Sequence, residues 1–183
     1  MRLTLNGGSL TIAQLYEAAT NPAVKIVLAP GAKKQMQKSR VLVEEWIAKK
    51  EIIYGITTGF GEFSNIHIPF DKIERLQENL IKSHAAGAGD PLPPEIVRAM
   101  MILRVNALAK GFSGVRTETA EFIVKFFNVG LVPVIPSQGS VGSSGDLVQL
   151  AHLVLAFMGM GKTIENGKLK IPLLSCENTI FIH

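Results

Sequence analysis

Two glycine-rich loops interrupt a chain whose apolar residues otherwise recur at helical spacing. One runs Tyr54-Gly55-Ile56-Thr57-Thr58-Gly59-Phe60-Gly61; the other runs from Pro136 through Gly139, Gly142 and Gly145 to Asp146. Glycine admits backbone conformations closed to other residues, so both loops are expected to follow tight paths between helices. Taken bare, they are two helix-connecting turns. Their small polar residues also make them the places where chemistry would sit.

The segments around them read as follows. A short helix fits residues 10–19, after Ser9, and stops at Asn21-Pro22. Residues 24–28 are a β-type run, closed by Pro30-Gly31. A helix over 32–50 puts Met36, Val43, Trp46 and Ile47 on one stripe. Asp71 and Glu74 have capping-box spacing, and Ile73, Leu76 and Leu80 follow as an apolar stripe that fades near Gly87. Ile96, Met100, Leu103 and Ala107 repeat at helical spacing up to Gly111. A helix over 115–128 stops at Gly130, and a last one covers 146–158. The fold class is therefore mainly α, with short β segments.

Composition excludes several classes. The 183 residues are 47% hydrophobic and 19% charged, enough for a globular core. The single cysteine, Cys176, cannot form an internal bridge, which fits a reducing compartment. The longest apolar run, 153–160, contains a glycine and falls short of a membrane span. The N-terminus lacks a sustained apolar stretch, so a cytoplasmic protein is expected. Nineteen basic residues stand against fifteen acidic ones and alternate with them, as at Glu44, Glu45, Lys49 and Lys50. That is a solvated helix face; no nucleic-acid partner is expected. A positive mean hydropathy points to apolar surface covered by other subunits or by further chain.

Three motifs fail on inspection. Gly161-Lys162-Thr163 resembles the end of a phosphate-binding loop, but position 156 is Ala and the segment follows a helix. The run from Gly142 to Asp146 lacks the final glycine of a nucleophile elbow. His67, His84, His152 and His183 have no paired ligand spacing, so no metal is expected.

The segment Gly139-Ser140-Val141-Gly142-Ser143-Ser144-Gly145-Asp146-Leu147, ending in Leu150-Ala151-His152, closely resembles the prosthetic-group signature of the aromatic amino-acid ammonia-lyases. The first loop resembles that family's catalytic-tyrosine loop. Leu76-Gln77 to Leu80, followed by Ser83-His84 and Gly87-Ala88-Gly89, looks like the histidine-specific form of its substrate-side helix. Residues 98–114, with Leu103-Arg104, Asn106 and Gly111, also follow the family pattern. The resemblance covers residues 1–160 and implies the N-terminal portion of the ammonia-lyase helical fold. Residues 161–183 read as a divergent tail, with the family's C-terminal helices absent.

The resemblance implies an elimination that turns an α-amino acid into an unsaturated acid and ammonia without a bound organic cofactor. The β-hydrogen is barely acidic and the amino group leaves poorly, so a strong electrophile is needed. The family makes its own methylidene-imidazolone from the chain, here from Ser143, Ser144 and Gly145. The Gly145 nitrogen, unhindered by a Cβ, would attack the Ser143 carbonyl carbon, and two waters would leave; the Ser144 hydroxyl departs to create the exocyclic methylene. Many relatives carry alanine where Ser143 stands. Asp146 would cap the following helix.

By the same resemblance Tyr54 is the base for the β-hydrogen. Free tyrosine has a pKa of ~10, so its site must stabilise the phenolate, and backbone N–H groups of the loop are one source. His84 falls where the family contacts the substrate side chain, and a neutral imidazole there can donate to or accept from a substrate imidazole. L-Histidine is the implied substrate and urocanate the product, in a homotetramer whose sites combine several subunits. A tyrosine or phenylalanine ammonia-lyase or aminomutase stays open, as does a catalytically inactive fragment acting as a helical interaction module.

Overall fold

The computed structural model describes residues 1–59, 68–140, 147–165 and 168–171. Strand β1 (Arg2–Leu5) pairs in parallel with β2 (Lys25–Leu28), Leu3 opposite Ile26 and Leu5 opposite Leu28. Helix α1 (Ile12–Thr20) makes the crossover. It starts later than the sequence implies, because Thr11 and Gln14 form a reciprocal capping box while Ser9 bonds to the Asn6 side chain. Asn21 ends it as expected, and Arg98 seals that end from below. The guanidinium, buried over the Phe127 ring at 4.1 Å, donates to the carbonyls of Ala19 at 2.9 Å, Ala18 at 2.8 Å and Asn21 at 3.3 Å.

Helix α2 (Pro30–Ala48) begins on Pro30 itself. That proline opens the helix, because its missing N–H falls where a helix has no acceptor to offer. Met36 and Val43 are buried as expected, whereas Trp46 and Ile47 are half-buried. Helix α3 (Phe70–His84) follows Pro69, so Asp71 lies in the first turn and is not the cap. Strand β3 (Ala88–Pro91) takes the place of the expected break.

Helix α4 (Pro94–Leu108) runs through the middle of the core, and its buried residues are Val97, Arg98, Met101, Ile102, Val105 and Leu108. The stripe picked out by spacing in the sequence is the more exposed one: Ile96 and Leu103 are 47% and 48% exposed, while Met100 packs against the edge of the core. Helix α5 (Thr117–Asn128) stops before Gly130, and its last residue knits it to the sheet. Asn128 accepts from the Ile26 N–H at 2.9 Å and donates to the Ile26 carbonyl at 2.8 Å, as a neighbouring strand would.

Strands β4 (Val132–Pro133) and β5 (Pro136–Gln138) lead to helix α6 (Leu147–Phe157). Phe157 anchors the far end of α6, packed edge-on against Phe126 at 5.0 Å and Phe122 at 5.9 Å. Strands β6 (Thr163–Glu165) and β7 (Lys168–Lys170) extend an antiparallel sheet from β4, with Thr163 fully buried. No helix among the described residues is long and apolar enough to cross a membrane.

Candidate active site

The first loop leaves α2 and folds at once into a closed turn. The Ile53 carbonyl accepts from the N–H groups of Ile56 at 3.1 Å and Thr57 at 3.0 Å. The Thr57 hydroxyl accepts from the Ile53 N–H at 2.9 Å and donates to the Glu51 carbonyl. Gly55, at φ +74°, takes the left-handed position such a turn requires. Thr57 and Thr58 are both buried, while Tyr54 at the turn's apex is 62% exposed. The Ile68 N–H donates to the Thr57 carbonyl at 3.0 Å, so the turn abuts the start of α3. Thr57 had no role in the sequence reading. Its signal was available: a threonine hydroxyl four residues past the turn's first residue substitutes for a backbone partner.

The second loop is pinned at both ends. Before it, β5 pairs antiparallel with β3, Ala88 opposite Gln138 and Pro91 opposite Pro136, and the Leu92 N–H donates to the Ile135 carbonyl at 2.8 Å. After it comes α6. The Ser140 hydroxyl donates to Gln149 Oε1 at 3.0 Å, closing the base of the loop from side chain to side chain. Gly139, at φ +139°, fits because it has no side chain: a Cβ there would stand 2.7 Å from Val148 Cγ1 and 3.1 Å from the Gly87 Cα. Ser143, Ser144, Gly145 and Asp146 lie outside the described residues, so the structure speaks to the base of the loop and not to its tip.

His84 stands at the end of α3, half-buried. Its Nδ1 lies 2.8 Å from the Leu80 carbonyl and 3.1 Å from the Ser83 hydroxyl, which itself donates to the same carbonyl. A carbonyl only accepts, so the ring proton sits on Nδ1, and the Nε2 of a neutral His84 is an acceptor. Three residues on, the Gly87 N–H donates to His152 Nε2 at 3.0 Å. His152 is on α6, and burial lowers its pKa from the ordinary 6.5. The structure thus joins the segment carrying His84 to the helix that leaves the second loop. It sets the turn bearing Tyr54 at the other end of α3.

The model of the aromatic amino acid lyases matches residues 10–171. The chain belongs to that family. Among its relatives, the histidine ammonia-lyase of Caldanaerobacter subterraneus subsp. tengcongensis is 47% identical over 167 residues, which is 91% of this chain and 33% of that one. The crystal structure of a histidine ammonia-lyase from Trypanosoma cruzi superimposes with a TM-score of 0.85 at 40% identity, covering 93% of this chain and 32% of that one. An ergothioneine-degrading ergothionase from Treponema denticola does so with a TM-score of 0.87 at 29% identity, over 93% and 34%. The chain spans about a third of the length of the relatives it matches.

Within this lyase fold the loop base suits the family's self-made electrophile. The Ser140–Gln149 bond and the close seat of Gly139 on Val148 hold the two ends of that loop together. Beside the base, Met100, Leu103 and Arg104 of α4 and Gln149 and Leu150 of α6 line a cavity of about 440 Å³.

Proposed function

We propose that this chain forms the N-terminal part of a histidine ammonia-lyase, which eliminates ammonia from L-histidine to give urocanate. The observation that carries the reading is the pinned loop base, with Gly139 pressed on Val148 and on Gly87, three residues from His84. The sequence kinship to histidine ammonia-lyases supports the substrate.

In this reading Ser143, Ser144 and Gly145 cyclise: the Gly145 nitrogen bonds to the Ser143 carbonyl carbon, the carbonyl oxygen leaves as water, and Ser144 loses its hydroxyl with its α-hydrogen as the second water. The resulting methylidene-imidazolone supplies an electrophile that activates the substrate toward loss of its amino group. The chain's own residues do the rest. His84 Nε2 accepts a hydrogen bond from an N–H of the substrate imidazole, orienting the side chain. Tyr54 removes the β-hydrogen as its phenolate. Because Tyr54 is exposed here, the walls that shelter it come from beyond this chain, in keeping with a homotetramer whose sites combine subunits.

Intact mass spectrometry tests the proposal. The chain is expected to weigh two waters less than its sequence, with the loss in the peptide holding 143–145, and Ser144→Ala is expected to abolish it. An unmodified wild-type mass refutes cyclisation. If ring-bearing protein, assembled to full length, fails to release urocanate from L-histidine, the substrate assignment falls and the ring stands.

A further inference from the structure

We infer that His152 is a positioning residue for ring formation, because its imidazole ties the segment after His84 to the helix that leaves the Ser143–Gly145 loop. The inference rests on the proposed cyclisation and adds a residue to it. The tie spans 65 positions of sequence, from the Gly87 N–H to His152 Nε2. A Cβ on Gly87 would come within 2.9 Å of His152 Nε2, 3.0 Å of Pro136 Cβ and 3.1 Å of His152 Cδ2. The backbone at Gly87 is therefore seated directly on the imidazole edge and on the first residue of β5.

Gly139 closes the arrangement from the other side, its α-carbon side facing Gly87 and Val148. Three pieces of chain meet here: the exit of α3, the entry to the loop and the first turns of α6. Sliding any one of them shifts the two ends of the loop relative to each other. Attack of an amide nitrogen on a carbonyl carbon two residues earlier depends steeply on that spacing, since the reacting atoms must be held near contact before the bond forms. His152 acts through the Gly87 backbone, whose N–H is bonded to its Nε2. An acceptor is what the position requires, so the neutral imidazole with its proton on Nδ1 is the working form.

Two variants of matched chemistry separate this role from bulk packing. In His152→Gln the amide oxygen reaches about as far as Nε2, whereas in His152→Asn it falls one atom short. The whole chain is expressed, and the fraction lacking two waters is followed over time by intact mass, alongside hydrogen exchange at the Gly87 amide. His152→Gln is expected to cyclise within about two-fold of wild type, and His152→Asn about ten-fold more slowly with faster exchange at Gly87, the scale of one lost hydrogen bond. Equal cyclisation in the two variants overturns the inference while wild-type ring formation still stands. Unchanged exchange at Gly87 in His152→Asn overturns it as well. A wild-type chain at full mass overturns the cyclisation itself and this inference with it.

Discussion

Gly87→Ala offers a sharp mechanical test, because the space around that residue is known atom by atom. The added methyl would meet His152 Nε2 at 2.9 Å and Pro136 Cβ at 3.0 Å, both inside ordinary carbon contact. Relieving two such contacts in a packed region costs about 1–3 kcal/mol. Moving apart also stretches the 3.0 Å bond from the Gly87 N–H, worth about 1 kcal/mol. The expected loss is thus about 2–4 kcal/mol, or roughly 5–15 °C of melting temperature for a chain of this size.

Gly31→Ala is the control. Gly31 is the second residue of α2 with nothing within 4 Å of the added atom, so the same substitution there should leave stability unchanged or raise it by up to about 1 kcal/mol. A double-mutant cycle assigns the cause. Truncating His152 to alanine removes one of the two obstacles, so Gly87→Ala should cost at least about 1 kcal/mol less in that background. Urea or thermal melts read all four proteins. If Gly87→Ala melts within 1 °C of wild type, or if the cycle is additive, the tight seat on His152 is wrong.

Acid should loosen the same junction. His152 has a pKa lowered by burial, so the unfolded chain takes up its proton first as pH falls. Its stabilising contribution is complete above the ordinary 6.5 and declines as pH drops from there through the lower folded value, and His152→Gln should flatten that part of a stability–pH curve. Thr57→Val leaves the half-buried Ile53 N–H and the Glu51 carbonyl without their hydroxyl partner and should cost about 1–3 kcal/mol for the two bonds, while Thr57→Ser, keeping the hydroxyl, should cost less than half as much by urea melt. Arg98→Lys keeps the charge and loses the fork that holds three carbonyls and the stack on Phe127, so it should lower stability by about 2 kcal/mol in the same assay.

The helices were legible because their stops are chemical: Asn21 and Gly130 end α1 and α5 where the sequence puts them. The starts were less so. Pro30 opens a helix that the sequence began two residues later, and Pro69 caps one whose cap the sequence put two residues later at Asp71, since a proline reads as a breaker as readily as a helix start. The sharpest miss is α4. Its Ile96–Met100–Leu103–Ala107 stripe and its Val97–Met101–Val105–Leu108 stripe both satisfy helical spacing, and spacing alone cannot say which faces the core. In the fold the second stripe is the buried one, beside Arg98, whose guanidinium reaches the end of α1. The other stays outward, an apolar face on a chain that spans a third of its relatives' length.

The site divides the same way. Residue types pointed the proposed chemistry to Tyr54, His84 and the Ser143–Gly145 loop, because that chemistry demands particular side chains. The bond that joins two of these regions demands only a backbone N–H and a lone pair. Gly87 therefore read as a helix breaker, and His152 as one of four histidines without ligand spacing. Neither residue's type announces the other, since a glycine amide leaves no side-chain signature and the two lie 65 positions apart. What glycine contributes there is an absence: with any other residue the imidazole edge and Pro136 could not both touch the chain. A motif read from sequence gives the reacting groups. The spacing between them rests on contacts of this kind, and those appear only when the chain is folded.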